Sequence, residues 1–328
     1  MVLFKNISYN IFWIKIILVG GLTMIIGVDI GGTSIKVGLV KEDGTIIKKE
    51  SYKVVNGNQE KMAEELGRFI LKFMDNDLSN VLGIGLACPG IIDRKNGICQ
   101  TSPNLFWHDL HICEIIKDIC NKDVQIINDA NAAALAELVL GAGVGYKSFV
   151  MLTLGTGVGG GIVINHELFE GEDDSETELG HWTLIENGEP CNCGKKGCIE
   201  AYCSATALIR DTKIAMEQNR DSMMWDFADM IVKANGQTAF EVAKLGDKAA
   251  TEVVNNYVKY LSDSIIMINN TYHPEVFLLG GGVSLQKEHL THKVEDKIFE
   301  ISQEKIHIIP SKLNNDSGIV GAACLFLK

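Results

Sequence analysis

Three cysteines and one histidine stand close together in the second half of the sequence. His181 is followed by Cys191, Cys193 and Cys198, and two glycines between the last two cysteines allow a tight chelate loop. Three thiolates and one imidazole make up the Cys₃His set of structural zinc sites, whereas a disulfide would leave one of the three cysteines over. Because the protein fills all four positions of a tetrahedral ion, the pattern predicts a structural zinc with no open position for water.

Glycine-rich turns follow apolar strands at three places. Residues 29–33 (DIGGT) and 154–161 (LGTGVGGG) each lie between two predicted strands, and residues 280–282 (GGG) end another. A hairpin without side chains lets backbone N–H groups approach phosphate oxygens, and Asp29 can hold Mg²⁺ through water. One such turn is equally well a plain β-turn, but one in each half predicts a nucleoside triphosphate held across a cleft, with the third loop near its base and ribose. A dinucleotide-binding fold competes for the glycines, but no GxGxxG opens a helix ahead of a ribose-binding acid.

Asp129 stands where a short predicted strand ends and an alanine-rich helix begins. A carboxylate at such a place can accept the proton of a substrate hydroxyl during phosphoryl transfer. An aspartate at a helix start is also commonly only the N-cap, and the residues alone favour that structural role. Both interpretations of Asp129 are therefore open at this point.

The elements that carry these residues predict an α/β protein of two domains. The chain of 328 residues is longer than a single core usually supports, and the strand, turn, strand rhythm at residues 24–40 recurs at 148–164, which suggests a duplicated fold. We expect a smaller domain at 24–130, completed by the C-terminal helix at about 311–328, and a larger domain at 131–310 that carries the zinc loop. Helices are predicted at 59–74, 110–120, 207–230 and 239–269, and from residue 130 to the glycines at 141 and 143.

Charge and cysteine usage narrow the partners and the compartment. The formal net charge of −12 argues against nucleic acid and anionic membranes, since both attract basic surfaces. It does not oppose a nucleotide, because a few backbone N–H groups and a metal ion create a local positive site. Nine cysteines, an odd number with one tight cluster, indicate metal thiolates in a reducing compartment, so we expect a cytoplasmic protein.

The first 23 residues contain an apolar stretch at 11–22 that is interrupted by Lys15. It is too short for the roughly 20 residues of a membrane-spanning helix, and no small-residue cleavage site follows it. We interpret this segment as an N-terminal extension, either disordered or the product of a misplaced start, with Met24 as the functional beginning.

Three features together resemble the repressor, open reading frame and kinase (ROK) family: the paired glycine turns, the NDA segment at 128–130, and the pattern ELGH…CNCGKKGCIE within 178–200. The resemblance extends from Met24 to the C terminus. It implies an actin-like ATPase or ribonuclease H-like fold with a cleft between two α/β lobes. It also implies ATP-dependent phosphorylation of a hexose, with Mg²⁺ and a structural Zn²⁺. The catalytic aspartate of the family matches Asp129, which the resemblance makes the general base.

The same resemblance assigns roles to further residues. Sugar contacts fall on Gly90, Asn104, Asn128, Glu178, His181 and Glu200. Nucleotide contacts fall on Asp29, Gly31, Gly32, Thr33, Lys36, Gly155, Thr156, Gly157, Gly281 and Gly282. If one ring nitrogen of His181 binds zinc, the other is fixed as a donor that can point at a sugar hydroxyl. For Asn104, a turn residue after Pro103 is an equally good interpretation, and Cys203 is interpreted as a small apolar helix residue.

The resemblance leaves open which sugar is the substrate and whether the protein is a kinase or a regulator. Glucose phosphorylated at O6 is favoured by resemblance alone, with N-acetylmannosamine, fructose and allose as alternatives, and a homodimer is a family-based expectation. The family also includes sugar-responsive repressors with a DNA-binding domain ahead of the kinase-like lobes, for which the segment before Met24 is too short. A regulator or sensor of sugar and ATP without turnover is the remaining alternative.

Overall fold

The computed structural model describes residues 23–54, 57–171 and 177–327. The predicted N-terminal extension lies outside these residues, apart from Thr23. The chain divides into two compact units, Met1–Ile127 with Ala322–Lys328, and Asn128–Gly321. Within the described residues, no helix combines the length and the apolar character needed to cross a membrane.

The first unit is built on a five-stranded sheet with the order β3-β2-β1-β4-β8, and a three-stranded sheet, β5-β6-β7, accompanies it. Its strands are β1 (Met24–Ile30), β2 (Ser34–Lys41), β3 (Ile46–Lys53), β4 (Val81–Cys88), β5 (Ile91–Asp93), β6 (Ile98–Ser102), β7 (Trp107–Leu110) and β8 (Val124–Asn128). Its helices are α1 (Gln59–Phe73) and α2 (Ile112–Cys120). Helix α2 is two residues shorter than its prediction, because residues up to Leu110 pair as β7 with β6.

Hydrophobic periodicity explains why α1 forms and how it packs. Met62, Leu66, Ile70 and Phe73 recur at helical spacing and are all buried in the core of this unit. Burial of each such side chain contributes about 1.5–3 kcal/mol. At the start of α1, the side-chain oxygen of Asn58 accepts the N–H of Lys61 and so caps the helix N-terminus.

The second unit repeats this plan around a sheet with the order β11-β10-β9-β12-β13. Its strands are β9 (Phe149–Leu154), β10 (Val158–Ile164), β11 (Glu167–Phe169), β12 (Val276–Gly280) and β13 (Ile308–Pro310). Its helices are α3 (Asp129–Leu140), α4 (Glu200–Cys203), α5 (Ala205–Gln218), α6 (Met224–Ala228), α7 (Thr238–Ala243), α8 (Lys248–Tyr272) and α9 (Glu288–Ser302). The last helix, α10 (Ser317–Cys324), crosses the division between the units.

The two five-stranded sheets have the same topology. In each, the first strand pairs antiparallel with the second and parallel with the fourth. In each, a glycine-rich turn joins the first strand to the second, at residues 31–33 and 155–157. The predicted duplication is therefore confirmed, and it places the two glycine turns at equivalent positions.

The two long helices predicted in the second half of the chain are wrong in extent. The segment 207–230 is broken between α5 and α6, and the segment 239–269 is broken between α7 and α8. Gly246 takes the left-handed conformation with φ of +88°, and the side chain of Asp247 accepts the N–H of Ala250. A left-handed residue followed by an N-cap ends one helix and starts another.

The division between the units also differs from the predicted domain bounds. It falls after Ile127 rather than residue 130, and it leaves residues 311–321 with the second unit. A Cβ on Gly321 would lie 1.9 Å from the carbonyl oxygen of Ala132 in α3. A Cβ on Gly85 in β4 would lie equally close, 1.9 Å, to the carbonyl oxygen of Ala322. Two consecutive residues of α10 thus pack in different units.

Candidate active site and metal cluster

The predicted zinc ligands come together in the second unit. Among the described residues, His181, Cys191, Cys193 and Cys198 form the one group of His, Cys, Asp or Glu side chains placed to hold a metal ion, with ligand atoms within 4.8 Å of one another. Nδ1 of His181 lies 3.6 Å from Sγ of Cys191, and Sγ of Cys193 lies 3.6 Å from Sγ of Cys198. Zinc with its usual bond lengths and tetrahedral angles requires about 3.6 Å for N···S and about 3.8 Å for S···S. These two distances fit such an ion.

Backbone hydrogen bonds close the cysteine loop. The N–H of Cys191 donates to the carbonyl of Lys195 at 2.9 Å, and the N–H of Gly194 donates to the carbonyl of Cys191 at 3.0 Å. Gly197 has φ of +78°, and a Cβ there would lie 1.6 Å from the carbonyl oxygen of Ile185. Only glycine can occupy this position, so the conformation of the loop depends on Gly197 as well as on the cysteines.

Of the three cysteines in the cluster, Cys193 is the one whose pKa is lowered. Burial raises the pKa of Cys191, and burial together with the contact to Cys193 raises the pKa of Cys198. Partial burial acts the same way on Cys193, but hydrogen bonds from the Lys195 backbone and the two other thiols lower its pKa overall. A metal ion that binds all three sulfurs must therefore displace protons.

Cys203 stands outside the cluster. Its side chain is fully buried, and its Sγ lies 3.6 Å from the hydroxyl of Ser264. Burial raises the pKa of this thiol to about 12, so it stays protonated in the core. The interpretation of Cys203 as an apolar helix residue is confirmed.

The carboxylate of Glu200 lies between the cluster and the second glycine turn. Its Oε1 is 3.5 Å from Sγ of Cys191, and its Oε2 accepts the N–H of Val158 at 3.1 Å. A Cβ on Gly157 would lie 2.2 Å from Oε2, so a side chain in the turn would displace this carboxylate. A residue predicted to contact sugar is thus also bonded to the turn predicted to contact phosphate.

Glu178 and His181 are placed by a short 3₁₀ turn, Leu179–His181, that packs on β10. A Cβ on Gly180 would lie 1.9 Å from the carbonyl oxygen of Val158. Only glycine therefore allows the turn to pack this closely against the strand. Within the turn, the N–H of His181 donates to the carbonyl of Glu178 at 2.9 Å. Since Nδ1 of His181 faces Cys191, Nε2 is the nitrogen left to donate to a ligand.

Helix α3 resolves the two interpretations of the NDA segment in part. The side-chain oxygen of Asn128 accepts the N–H groups of Ala130 and Asn131 at 2.9 and 3.2 Å, which makes Asn128 the N-cap. Asp129 is the first residue of the helix, with an exposed side chain, and its Oδ1 accepts the N–H of Ala130 at 2.9 Å. The capping role considered for Asp129 belongs to its neighbour. Asn128 is 5% exposed, and its Oδ1 accepts both N–H groups.

In the first unit, the predicted phosphate turn and the predicted sugar loop are adjacent. A Cβ on Gly32 would lie 3.9 Å from the carbonyl oxygen of Asn104, which is exposed. Asp29 and Lys36 face each other across β1 and β2, with the ammonium 2.9 Å from Oδ2 of Asp29. Gly90 has φ of +110°, and a Cβ there would lie 2.1 Å from a carbonyl oxygen of β6. Gly32 of the glycine turn and Asn104 of the predicted sugar loop are therefore neighbours within the first unit.

The third glycine loop lies beside the second turn. Gly281 has φ of +83°, and a Cβ there would lie 2.6 Å from backbone atoms of Leu154, the last residue of β9. Thr156 and Gly282 are exposed at these two loops. The fold of the second unit therefore brings residues 154–157 next to residues 281–282, although the two segments are far apart along the chain.

Local sequence patterns do not reveal two side chains that hold backbone segments in place. Glu137 in α3 is 0% exposed, and its two carboxylate oxygens accept the N–H groups of Ala142 and Leu313. The hydroxyl of Thr206 in α5 donates to the carbonyl of Thr156 in the second glycine turn at 2.7 Å. Their partners lie as far as 176 residues away in sequence, and no local pattern marks such contacts.

Comparison with known proteins places the chain among sugar kinases and their relatives. A sequence profile described as the ROK family matches residues 25–328. The glucokinase of Thermotoga maritima is 38% identical over 307 residues, which cover 92% of this chain and 96% of that protein. The xylose repressor of Bacillus spizizenii is 27% identical over 92% of this chain and 77% of that protein.

Solved structures show the same fold. The ROK family glucokinase from Streptomyces griseus in complex with glucose and AMPPNP matches with a TM-score of 0.81 and 28% identity, covering 92% of this chain and 98% of that one. The ROK hexokinase from Thermus thermophilus matches with a TM-score of 0.76 and 30% identity, covering 92% of this chain and 97% of that one. The class is thus the two-domain α/β fold of the actin-like ATPases. Within that class, the chain belongs to the ROK family.

Proposed function

We propose that the protein transfers the γ-phosphoryl group of ATP to the O6 hydroxyl of a hexose, with glucose as the preferred substrate. The observation that carries this proposal is the arrangement at the start of α3, where Asn128 caps the helix and Asp129 has an exposed carboxylate. A phosphoryl transfer to an alcohol needs an acceptor for the hydroxyl proton within hydrogen-bond reach. Asp129 is that acceptor, and its carboxylate takes the O6 proton as O6 attacks the phosphorus.

The sugar is held by hydrogen bonds from the same unit. Nε2 of His181 donates to one ring hydroxyl, and the carboxylates of Glu178 and Glu200 accept from others. Zinc on the four cluster ligands supplies no step of the reaction and, when bound, holds His181 in one tautomer. Carboxylates that would be left unpaired by a missing hydroxyl discriminate strongly between sugars. Further sugar contacts are proposed for Gly90, Asn104 and Asn128.

The nucleotide is held by the glycine loops. Backbone N–H groups of the turns at 31–33 and 155–157 bind the phosphates, and Gly281 and Gly282 lie along the adenosine. The carboxylate of Asp29 accepts a hydrogen bond from the ammonium of Lys36 at 2.9 Å. We expect Asp29 to hold Mg²⁺ through water rather than by direct coordination. We expect Lys36 to contribute positive charge near the phosphates.

Glucose is supported as the substrate by the relatives named above. The glucokinase of Thermotoga maritima is 38% identical over 92% of this chain. The S. griseus structure contains glucose and an ATP analogue. N-acetylmannosamine, fructose and allose are the alternatives within the family. A cytoplasmic location and a homodimer stay predictions.

ADP release in Mg-ATP with a panel of hexoses tests the proposal. We expect the highest kcat/KM with glucose and a product phosphorylated at O6, identified by NMR of the sugar phosphate. No turnover with any hexose, together with measurable sugar binding, would instead indicate a regulator or sensor. That second candidate is favoured by the xylose repressors among the relatives.

A further inference from the structure

The turn at residues 155–157, between β9 and β10, is fastened by the chain segment that follows the last cysteine of the cluster. The N–H of Ala205 donates to the carbonyl of Gly155 at 2.8 Å. The hydroxyl of Thr206 donates to the carbonyl of Thr156 at 2.7 Å. Two consecutive carbonyls of the turn are therefore bonded to the start of α5.

A third bond holds the strand that leaves the turn. Oε2 of Glu200, the first residue of α4, accepts the N–H of Val158 at 3.1 Å. The carbonyl of Val158 is covered from another direction by Gly180, whose Cβ position is 1.9 Å away. Residues 200–206, named here the clamp, thus contact three consecutive peptide groups at the turn.

The clamp is itself a well-anchored piece of backbone. The side chain of Ser204 caps α5 by accepting the N–H of Ala207 at 3.0 Å, and the carbonyl of Cys203 accepts the hydroxyl of Tyr257 in α8 at 2.7 Å. Ser204, Cys203 and Tyr257 are almost fully buried. The clamp therefore offers the turn donors at fixed positions.

These bonds decide the direction of the N–H groups in the turn. In a trans peptide unit the carbonyl and the following N–H lie in one plane and point opposite ways. A carbonyl of Gly155 bonded to the clamp turns the N–H of Thr156 to the other side. In the same way, the bonded carbonyl of Thr156 turns away the N–H of Gly157. The donors suited to a phosphate are thus oriented before any ligand arrives.

The clamp is also connected to the metal cluster. Glu200 follows Cys198 by two residues, and its Oε1 lies 3.5 Å from Sγ of Cys191. The one carboxylate thus contacts the cluster with one oxygen and the turn with the other. The cysteine loop and the turn are thus joined through a single side chain, that of Glu200.

We propose that the clamp preorganises the turn at 155–157 for phosphate, and that zinc in the Cys₃His cluster thereby controls nucleotide affinity as well as sugar affinity. Thr206 is a positioning residue in this scheme, since it acts through the backbone of Thr156. The proposal rests on the proposed function in one respect, namely that this turn binds phosphate.

The first experiment uses Thr206→Val in the zinc-loaded protein. Loss of one hydrogen bond should weaken ADP binding roughly two- to tenfold, measured by titration calorimetry, with glucose affinity unchanged. Amide hydrogen exchange in residues 155–158 should accelerate. Thr271→Val is the matched control, because its exposed hydroxyl also donates to a backbone carbonyl, that of Met267, at 3.2 Å in α8. The control should leave both measurements at their wild-type values.

The second experiment removes zinc with a chelator and restores it. Exchange in residues 155–158 should rise in the metal-free protein and return to the original rate with added Zn²⁺, with ADP affinity following in parallel. Exchange at these residues that is insensitive both to zinc and to Thr206→Val would overturn the clamp. Faster exchange with unchanged ADP affinity would overturn its link to the nucleotide. If the wild-type protein binds no ADP, the proposed function fails, and hydrogen exchange alone still decides whether the clamp exists.

Discussion

Asp129→Asn separates the two roles that the NDA segment allows for this aspartate. Asn128 caps α3, so the variant keeps the cap, and its amide oxygen can still accept the N–H of Ala130 that lies 2.9 Å from Oδ1. The variant loses the negative charge at the helix N-terminus, which contributes about 0.3–1 kcal/mol to stability, and it loses the capacity to accept a proton. We expect kcat to fall about 10²- to 10⁴-fold while the stability changes little.

The neighbouring substitution Asn128→Ala is the matched comparison for stability. It removes the acceptor of two backbone N–H groups, and loss of an N-cap costs about 0.5–2 kcal/mol. In a unit of this size, each kcal/mol shifts the melting temperature by about 2–4 °C. Asn128→Ala should therefore lower Tm clearly more than Asp129→Asn does.

Three measurements on both variants test this reasoning: steady-state ADP release, glucose binding by calorimetry, and thermal unfolding. Asp129→Asn should bind glucose with nearly wild-type affinity and turn it over slowly. Near-normal kcat in Asp129→Asn would refute its assignment as the general base. A Tm loss in Asp129→Asn that equals or exceeds the loss in Asn128→Ala would refute the division of roles between the two residues.

Further substitutions and conditions give separate outcomes. Glu137→Leu leaves two partly buried backbone N–H groups, those of Ala142 and Leu313, without their acceptor, and should lower the free energy of unfolding by about 1–3 kcal/mol, measured by urea unfolding; an unchanged free energy of unfolding would show that water replaces the carboxylate. Gly197→Ala should lower bound zinc by mass spectrometry because its Cβ meets a carbonyl oxygen, whereas Gly194→Ala, with φ of +88° but open space, should lower it less; equal zinc content in the two variants would contradict this. Because burial raises the pKa of Cys191 and of Cys198, zinc binding must release their protons, so zinc affinity should rise with pH between 6 and 8 in a competition with a chromophoric chelator; affinity independent of pH would count against thiolate ligation by these two residues.

Local patterns were sufficient wherever a feature depends on neighbouring residues. The amphipathic spacing of α1 and the alanine-rich run of α3 predict helices whose bounds agree with the structure to within a residue or two. The cysteine spacing at 191–198 predicts a chelating group whose ligand atoms lie within 4.8 Å. In each case the interacting atoms are close in sequence, so the residue types alone decide the outcome.

Local patterns failed where two signals competed. Apolar periodicity continues through residues 239–269, but Gly246 and Asp247 break it, because a left-handed residue and an N-cap outweigh periodicity at a single position. At the NDA segment, two adjacent residues could both cap a helix. Their sequence does not say which one does, and the backbone angles of Asn128 decide it.

The sequence by itself determined the family, the two glycine turns, the four residues of the candidate metal cluster and the aspartate at the start of α3. Each of these depends on residue type and short spacing. Only the tertiary structure decided that Glu200 bonds both the cysteine loop and the N–H of Val158, and that Thr206 holds the carbonyl of Thr156. The contacts to Val158 and Thr156 join residues 42 and 50 positions apart in sequence. They exist because the fold brings those segments together, and the spacing of residues along the sequence does not show which segments meet.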